Sequence, residues 1–82
     1  MNNKIIVSII VPILDIEFDV ATSNSIKVGT LKKNAIKYIS ASYPMLQGDS
    51  LRLLDRNTGD EFDNNLVIRN TTIKNGNVLV LI

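Results

Sequence analysis

Two neighbouring apolar segments near the start of the chain predict an antiparallel pair of strands. Ile5–Val11 is nearly all apolar and rich in β-branched residues, which is typical of a strand in the middle of a sheet. Asp15–Val20 alternates polar and apolar residues, and this alternation predicts a strand with one face in water. Because only a short turn separates the two segments, we expect them to form a hairpin. The inward residues of the second strand are Ile16, Phe18 and Val20.

The next segment has the spacing of an amphipathic helix. Its repeat predicts a helix from about Val28 to Ala41, which Pro44 terminates. A cluster of capping residues, Thr22–Ser25, precedes the helix and is expected to cap its first turn. Gly29 lies near the helix start, and a glycine inside a helix costs about 1 kcal/mol relative to alanine. The expected buried stripe consists of Val28, Leu31, Ala35, Tyr38, Ile39 and Ser42.

The second half of the chain alternates short apolar segments with turns. Leu51–Leu54 predicts a third strand, and Asp55–Asp60 is rich in turn-forming residues. A short strand is expected around Glu61–Phe62. Asn75-Gly76 is a strong turn pattern, and the almost wholly apolar Val78–Ile82 predicts the final strand.

Two connections complete the list of elements. Met45–Ser50 is expected to be a loop, and the segment around Ile68 is a connection that includes one helical turn.

The order of these elements restricts the topology. The helix must cover one face of the sheet, because its apolar stripe needs the inward side chains of the strands. The apolar final strand favours a central position, beside the first strand and parallel to it. The sequence therefore predicts one α+β domain over residues 1–82, with a mixed four- to five-stranded sheet packed on one main helix, the β-grasp arrangement.

Composition limits the chemistry that is open to this domain. The chain has 82 residues, of which 45% are hydrophobic and only 5% aromatic, so its core must be aliphatic. It contains no cysteine, and therefore no disulfide, thiolate metal site or thiol nucleophile. It also contains no histidine, the commonest general base and metal ligand. We therefore expect a protein that is not an enzyme and that has neither a cofactor nor a metal site.

Two acidic segments have some features of calcium sites but are better explained otherwise. Asp15, Glu17 and Asp19 follow one face of the second strand, where acidic residues more often keep an edge strand soluble. Asp55–Asp60 resembles a calcium loop, but Gly59 stands where an oxygen ligand is required. We expect a hairpin turn there.

Lysine is the only charged residue type between Val20 and Gln47, although the net charge of the chain is only +1. These lysines predict a basic helix face, which is most often simply solvated. The alternative is that this face binds nucleic acid or lipid, but we expect no nucleic-acid partner. The residues concerned are Lys27, Lys32, Lys33 and Lys37.

The apolar segment Ile5–Leu14 follows a lysine, as the apolar region of a signal peptide does. It is interrupted by Ser8 and Pro12, leads directly into acidic residues, and is too short to span a bilayer as a helix. We therefore expect no transmembrane segment and a cytoplasmic protein, free or held at the inner face of the membrane by a partner.

The C-terminal segment Ile68–Leu81 contains the apolar residue Ile68, then Ile73, an Asn75-Gly76-Asn77 turn and a strand. This pattern resembles the ubiquitin-like proteins, and more narrowly the YukD/EsaB family encoded with type VII (ESX/WXG-type) secretion systems in Gram-positive bacteria. Thr22–Ser25 and Leu51–Leu54 also fit the spacing of ubiquitin. The resemblance implies a ubiquitin-like β-grasp fold and a non-catalytic, protein-binding or regulatory role in type VII secretion.

The last residues of the sequence affect whether we expect conjugation or sulfur transfer, the covalent reactions of ubiquitin-like proteins. The modifiers and sulfur carriers of this superfamily use an exposed C-terminal Gly-Gly tail, whereas this sequence ends in Leu81-Ile82. We therefore expect neither conjugation nor sulfur transfer. The alternative is a covalent modifier or sulfur carrier that is processed from a longer precursor.

Strand alternation predicts a second sheet face, opposite the helix, with apolar residues at its centre and Glu17 and Asp19 at its edge. The resemblance implies that Leu54 and Ile82 match the apolar patch through which ubiquitin binds its partners. The expected occupant is a protein partner, including components of the type VII machinery. The alternative is a second copy of the chain in a homodimer. The predicted partner-binding residues are Arg52, Leu54, Val80, Ile82, Ile6 and Ile10.

Overall fold

The computed structural model describes residues 3–44 and 51–82, which form a four-stranded sheet and one long helix. The strands are β1, Lys4–Val11; β2, Ile16–Ser23; β3, Leu53–Asp55; and β4, Val78–Leu81. The helix, α1, spans Val28–Ser42, and single 3-10 turns occupy Pro12–Leu14 and Ile68–Asn70. The loop expected over residues 45–50 lies outside the described residues. Within the described ranges, no helix is long and apolar enough to cross a membrane.

The strands lie in the order β2-β1-β4-β3. β1 and β2 form the predicted hairpin and pair antiparallel along their whole length, from Lys4 with Ser23 to Val11 with Ile16. β4 lies between β1 and β3; it is parallel to β1 and antiparallel to β3. The mixed sheet on one main helix and the central position of the C-terminal strand are therefore confirmed.

The core lies between α1 and one face of the sheet, and it is entirely apolar among the described residues. In β1 and β4 every second residue is buried, as their periodicity predicts. Each large aliphatic side chain buried in this way contributes about 1.5–3 kcal/mol of transfer free energy. The fully or almost fully buried residues are Val7, Ile9, Val11, Val28, Leu31, Ala35, Ile39, Leu53, Ile68, Ile73, Leu79 and Leu81.

The start of α1 is capped by the backbone of a distant loop and not by the predicted cluster Thr22–Ser25. The N–H of Val28 donates to the carbonyl oxygen of Leu66, and that of Gly29 donates to the carbonyl oxygen of Asn64, both at 2.9 Å. The hydroxyl groups of Ser23 and Ser25 hydrogen-bond to each other instead. A Cβ atom on Gly29 would lie 3.1 Å from the Asn64 oxygen, so the glycine permits this close approach. The capping prediction was wrong because the cap comes from a remote part of the chain.

The sheet has fewer regular strand residues after the helix than the sequence predicts. β3 begins at Leu53 rather than Leu51. Around Glu61–Phe62 the described chain makes a single bridge, to Leu54, rather than a strand. The sheet consequently has four strands, which is the lower limit of the prediction.

Both predicted turns are present and are closed by their own side chains. Oδ1 of Asp55 accepts a hydrogen bond from the N–H of Asn57 at 2.7 Å, which confirms the hairpin turn. In the second turn, Gly76 has a φ of +87°, a left-handed conformation that favours glycine. Oδ1 of Asn75 accepts a hydrogen bond from the N–H of Ile6 at 2.8 Å, so this turn is attached directly to β1.

The two 3-10 turns provide a matched test of the core. Ile68 is fully buried in one turn, whereas Ile13 in the other is 75% exposed. We expect Ile68→Ala to lower the free energy of unfolding by about 2–4 kcal/mol because it leaves a cavity. Ile13→Ala should change this free energy by less than about 0.5 kcal/mol. Urea unfolding followed by circular dichroism measures both, and equal losses would contradict the assignment of the core.

Candidate functional site

The sheet face opposite α1 carries a group of apolar side chains that the core does not use. Ile6 and Ile82 keep 49% and 42% of their surface exposed. Ile10, Leu54 and Val80 are partly buried by their neighbours on the sheet. These five residues are called the outer patch.

The strand register brings most of the outer patch together. Ile10 of β1 pairs with Val80 of β4, which pairs in turn with Leu54 of β3. Side chains paired in this way across strands lie about 4.5–5.5 Å apart at their Cβ atoms. Ile82 is the next outward residue after Val80, and Ile6 lies further along β1 at the margin of the patch.

An acidic rim borders the outer patch on the β2 side. Glu17 pairs with Ile10, and Asp19 pairs with Ser8, so both acidic side chains share the outer face. The hydroxyl of Ser8 donates a hydrogen bond to Oδ1 of Asp19 at 2.7 Å. The sequence alone did not indicate this bond, since Ser8 and Asp19 meet only through the hairpin register.

The opposite rim of the patch carries an ion pair. The N–H of Ile82 donates to the carbonyl oxygen of Arg52 at 2.9 Å, which holds Arg52 beside the end of β4. Nη1 of Arg52 lies 3.8 Å from Oε1 of Glu61, and these side chains are 58% and 45% exposed. An exposed ion pair contributes about 0–1 kcal/mol to stability. The guanidinium group is therefore accessible to a partner. The structure thus places all six predicted partner-binding residues on one face.

The lysines of the predicted basic helix face do not all lie together. Nζ of Lys32 donates a hydrogen bond to the carbonyl oxygen of Leu51 at 3.1 Å, on the side of α1 that faces the third strand. Lys27 and Lys33 line a shallow depression beside Asn64. Lys33 and Lys37, one helical turn apart, are exposed. Lys32 therefore contacts the backbone of another segment, whereas Lys33 and Lys37 face solvent.

The three acidic residues near β2 do not share one strand. Asp15 has a φ of 53° and ends the 3-10 turn, while Glu17 and Asp19 lie in β2. In the described parts of the chain, no group of three or more acidic side chains is arranged to hold a metal ion.

Tyr38 departs from its predicted place in the buried stripe of the helix. Its side chain is 66% exposed, and its ring lies against Phe18 with 5.0 Å between the ring centroids. Ser42, also assigned to the stripe, is exposed. Helical spacing places both residues toward the sheet, but among the described residues the sheet ends at β2 and no further strand covers them.

Several solved structures share this fold. The ubiquitin-like domain of Plasmodium falciparum Dsk2 is similar with a TM-score of 0.76, at 23% identity over 95% of each chain. Caldiarchaeum subterraneum ubiquitin has a TM-score of 0.72 and 15% identity, covering 95% of this chain and 90% of its own. A chain of the MycP5-free ESX-5 inner membrane complex, State II, has a TM-score of 0.77 at 10% identity, covering 96% of this chain and 20% of that one. No family model matches the sequence, and no curated protein matches it either.

These similarities establish the fold of the protein. The chain has the ubiquitin-like β-grasp fold, with the sheet order and the single main helix described above. The identities lie below the level at which a shared fold implies a shared function. The sequence-based expectation of a ubiquitin-like fold is therefore confirmed at the level of the fold.

Two adjacent leucines test the assignment of the two sheet faces. Leu53 is 1% exposed and faces α1, whereas Leu54 lies in the outer patch. We expect Leu53→Lys to lower the free energy of unfolding by more than about 3 kcal/mol, because it buries a charge without a partner. Leu54→Lys should cost less than about 1 kcal/mol, since the ammonium group remains in water and lies across from Glu61. Thermal unfolding and amide NMR spectra compare the variants, and a loss of fold in both would contradict the assignment.

Proposed function

We propose that this protein is a non-catalytic ubiquitin-like protein that binds other proteins through the outer patch and acts as a regulatory component of type VII secretion. The outer patch is the observation that carries the proposal. Its apolar side chains lie next to one another on an open sheet face, without a structural role in the core. Contiguous apolar surface of this kind usually marks a site of protein association.

The rims of the patch supply the polar part of such an interface. Glu17 and Asp19 lie on one side and the exposed Arg52–Glu61 ion pair on the other, so a partner meets different charge patterns at the two margins. Charges at an interface rim mainly set orientation and association rate, while the apolar centre supplies most of the affinity. The face is therefore suited to binding one partner in a defined orientation.

Two observations support a link with type VII secretion. The pattern of Ile68–Leu81 resembles the YukD/EsaB family, and a chain of an ESX-5 inner membrane complex has the same fold. In this proposal the protein acts in the cytoplasm or at the inner face of the membrane, through a component of the secretion machinery. The absence of histidine and cysteine from the sequence supports a binding role over a catalytic one.

A secretion assay with two leucine-to-lysine variants tests this proposal. Leu54 lies in the outer patch, whereas Leu66 is 43% exposed in the loop that caps α1. In the source bacterium, Leu54→Lys should shift the amount of exported WXG-type protein to the level of a strain that lacks the chain. Leu66→Lys should leave export unchanged, because it adds the same charge away from the patch. Immunoblots of the culture medium measure the exported protein, and normal export with Leu54→Lys would contradict the proposal.

Site-specific crosslinking in the same cells distinguishes the competing functions. A photo-crosslinking residue at position 82 should capture a component of the secretion machinery, and the same residue at position 66 should not. Mass spectrometry identifies the captured protein. A covalent adduct of the unmodified chain with other proteins, or capture of nucleic acid or lipid in place of protein, would overturn the proposal.

A further inference from the structure

The turn that precedes β4 is attached to β1 through an asparagine-glycine pair. Oδ1 of Asn75 accepts a hydrogen bond from the N–H of Ile6 at 2.8 Å, and the N–H of Gly76 donates to the carbonyl oxygen of Ile6 at 2.7 Å. Beside them, the N–H of Ser8 donates to the carbonyl oxygen of Asn77 at 2.9 Å. The pair therefore continues the parallel contact of β1 and β4 past the start of β4.

The two groups that face Ile6 are also the reacting groups of asparagine deamidation. In that reaction the backbone nitrogen of Gly76 gives its proton to hydroxide and attacks Cγ of Asn75. A nitrogen–carbon bond forms, and the side-chain nitrogen takes a proton from water and leaves as ammonia. Water then opens the succinimide ring to give aspartate or isoaspartate. Glycine leaves the attacking nitrogen sterically open, and the sequence contains this pair of residues only once.

The two hydrogen bonds to Ile6 hold both reacting groups in unreactive positions. The backbone nitrogen of Gly76 loses its proton less readily while it donates to a carbonyl oxygen. The carboxamide of Asn75 is fixed by its oxygen and cannot turn its carbon toward that nitrogen. The reaction therefore requires a local opening of the turn, and its rate follows the population of the open form. Two ordinary hydrogen bonds lower that population by about tenfold.

We propose that Asn75 is a deamidation site that the fold protects through Ile6, and that its isoaspartate product detaches the turn from β1. The site lies at the start of β4, and the proposal goes beyond the proposed function. It assigns to Asn75 a slow, irreversible modification whose rate reports how often the turn separates from β1.

The two products of the reaction have different consequences for the fold. Aspartate at position 75 keeps a side-chain oxygen where Oδ1 lies, so both hydrogen bonds to Ile6 are retained. In isoaspartate, Cγ joins the main chain, and its oxygen and the N–H of Gly76 belong to one peptide group. The oxygen and the N–H of a trans peptide point in opposite directions, so they cannot both bond to Ile6. This loss adjoins the pairing of Ser8 with Val78 and weakens the union of β1 and β4.

The exposed turn after β3 provides a matched control. Thr58→Gly places the same pair of residues at Asn57, which is exposed at the β3 edge of the sheet, away from Ile6. The N–H of Thr58 makes only a long contact, 3.4 Å, with Oδ1 of Asp55. Each of the two asparagines follows a basic residue, so the local sequences are similar.

Incubation of the Thr58→Gly protein at mildly alkaline pH compares the two sites in one molecule. Peptide mapping at acidic pH by mass spectrometry measures aspartate and isoaspartate at each position. In the folded protein, Asn75 should react about tenfold more slowly than Asn57. In guanidinium chloride the two should react equally fast. The unaltered protein, compared with and without guanidinium chloride, should show the same protection of Asn75.

NMR of ¹⁵N-labelled protein tests the consequence for the fold. Asn75→Asp should retain the slow hydrogen exchange of the Ile6 amide. The isoaspartate form, purified by chromatography from aged unaltered protein, should exchange this amide about tenfold faster. The amide of Leu31, in the core of α1, should exchange at similar rates in both forms under conditions that keep the protein folded.

Two results would overturn the proposal. One is deamidation of Asn75 that is as fast in the folded protein as at Asn57 or in guanidinium chloride. The other is an isoaspartate form in which the Ile6 amide exchanges as slowly as in Asn75→Asp. The secretion and crosslinking results with Leu54→Lys do not depend on either outcome.

Discussion

The parallel pairing of the last strand with the first is the interaction on which the rest of the structure depends. Ser8–Ile10 of β1 pairs with Val78–Val80 of β4, although nearly the whole chain separates them. This pairing completes the inner face on which α1 packs, because Leu79 and Leu81 join the buried side chains of β1. It also brings β3 into the sheet, since β3 pairs only with β4 among the described strands.

The same constraint leaves apolar side chains exposed in two places. One helix can cover only one face of a four-stranded sheet, so the outer face remains open and the pairing of β1, β4 and β3 gathers Ile10, Val80 and Leu54 there. Beside β2, the exposed ring of Tyr38 packs against Phe18. Apolar surface thus stays exposed where the single helix does not cover the sheet.

Local patterns in the sequence predicted most elements and most of the outer patch. The unbroken alternation in β2 and the β-branched run in β1 identify strands, and helical spacing identifies α1 to within a residue at its end. Alternation also assigned Leu53 and Leu54 to opposite faces correctly. The exposure of Tyr38 and the remote cap of α1 were not predicted, because each depends on which distant segment packs beside the helix.

The sequence by itself determined the class of fold, the aliphatic core and the set of side chains that face outward. Periodicity and composition are properties of adjacent residues, and they suffice for those features. Only the tertiary structure decided which residues become neighbours: Ser8 with Asp19, Arg52 with Glu61, and Phe18 with Tyr38. It also placed Nζ of Lys32 against the carbonyl oxygen of Leu51. Strand register and the packing of α1 on the sheet set these distances, and local patterns in the sequence do not encode them.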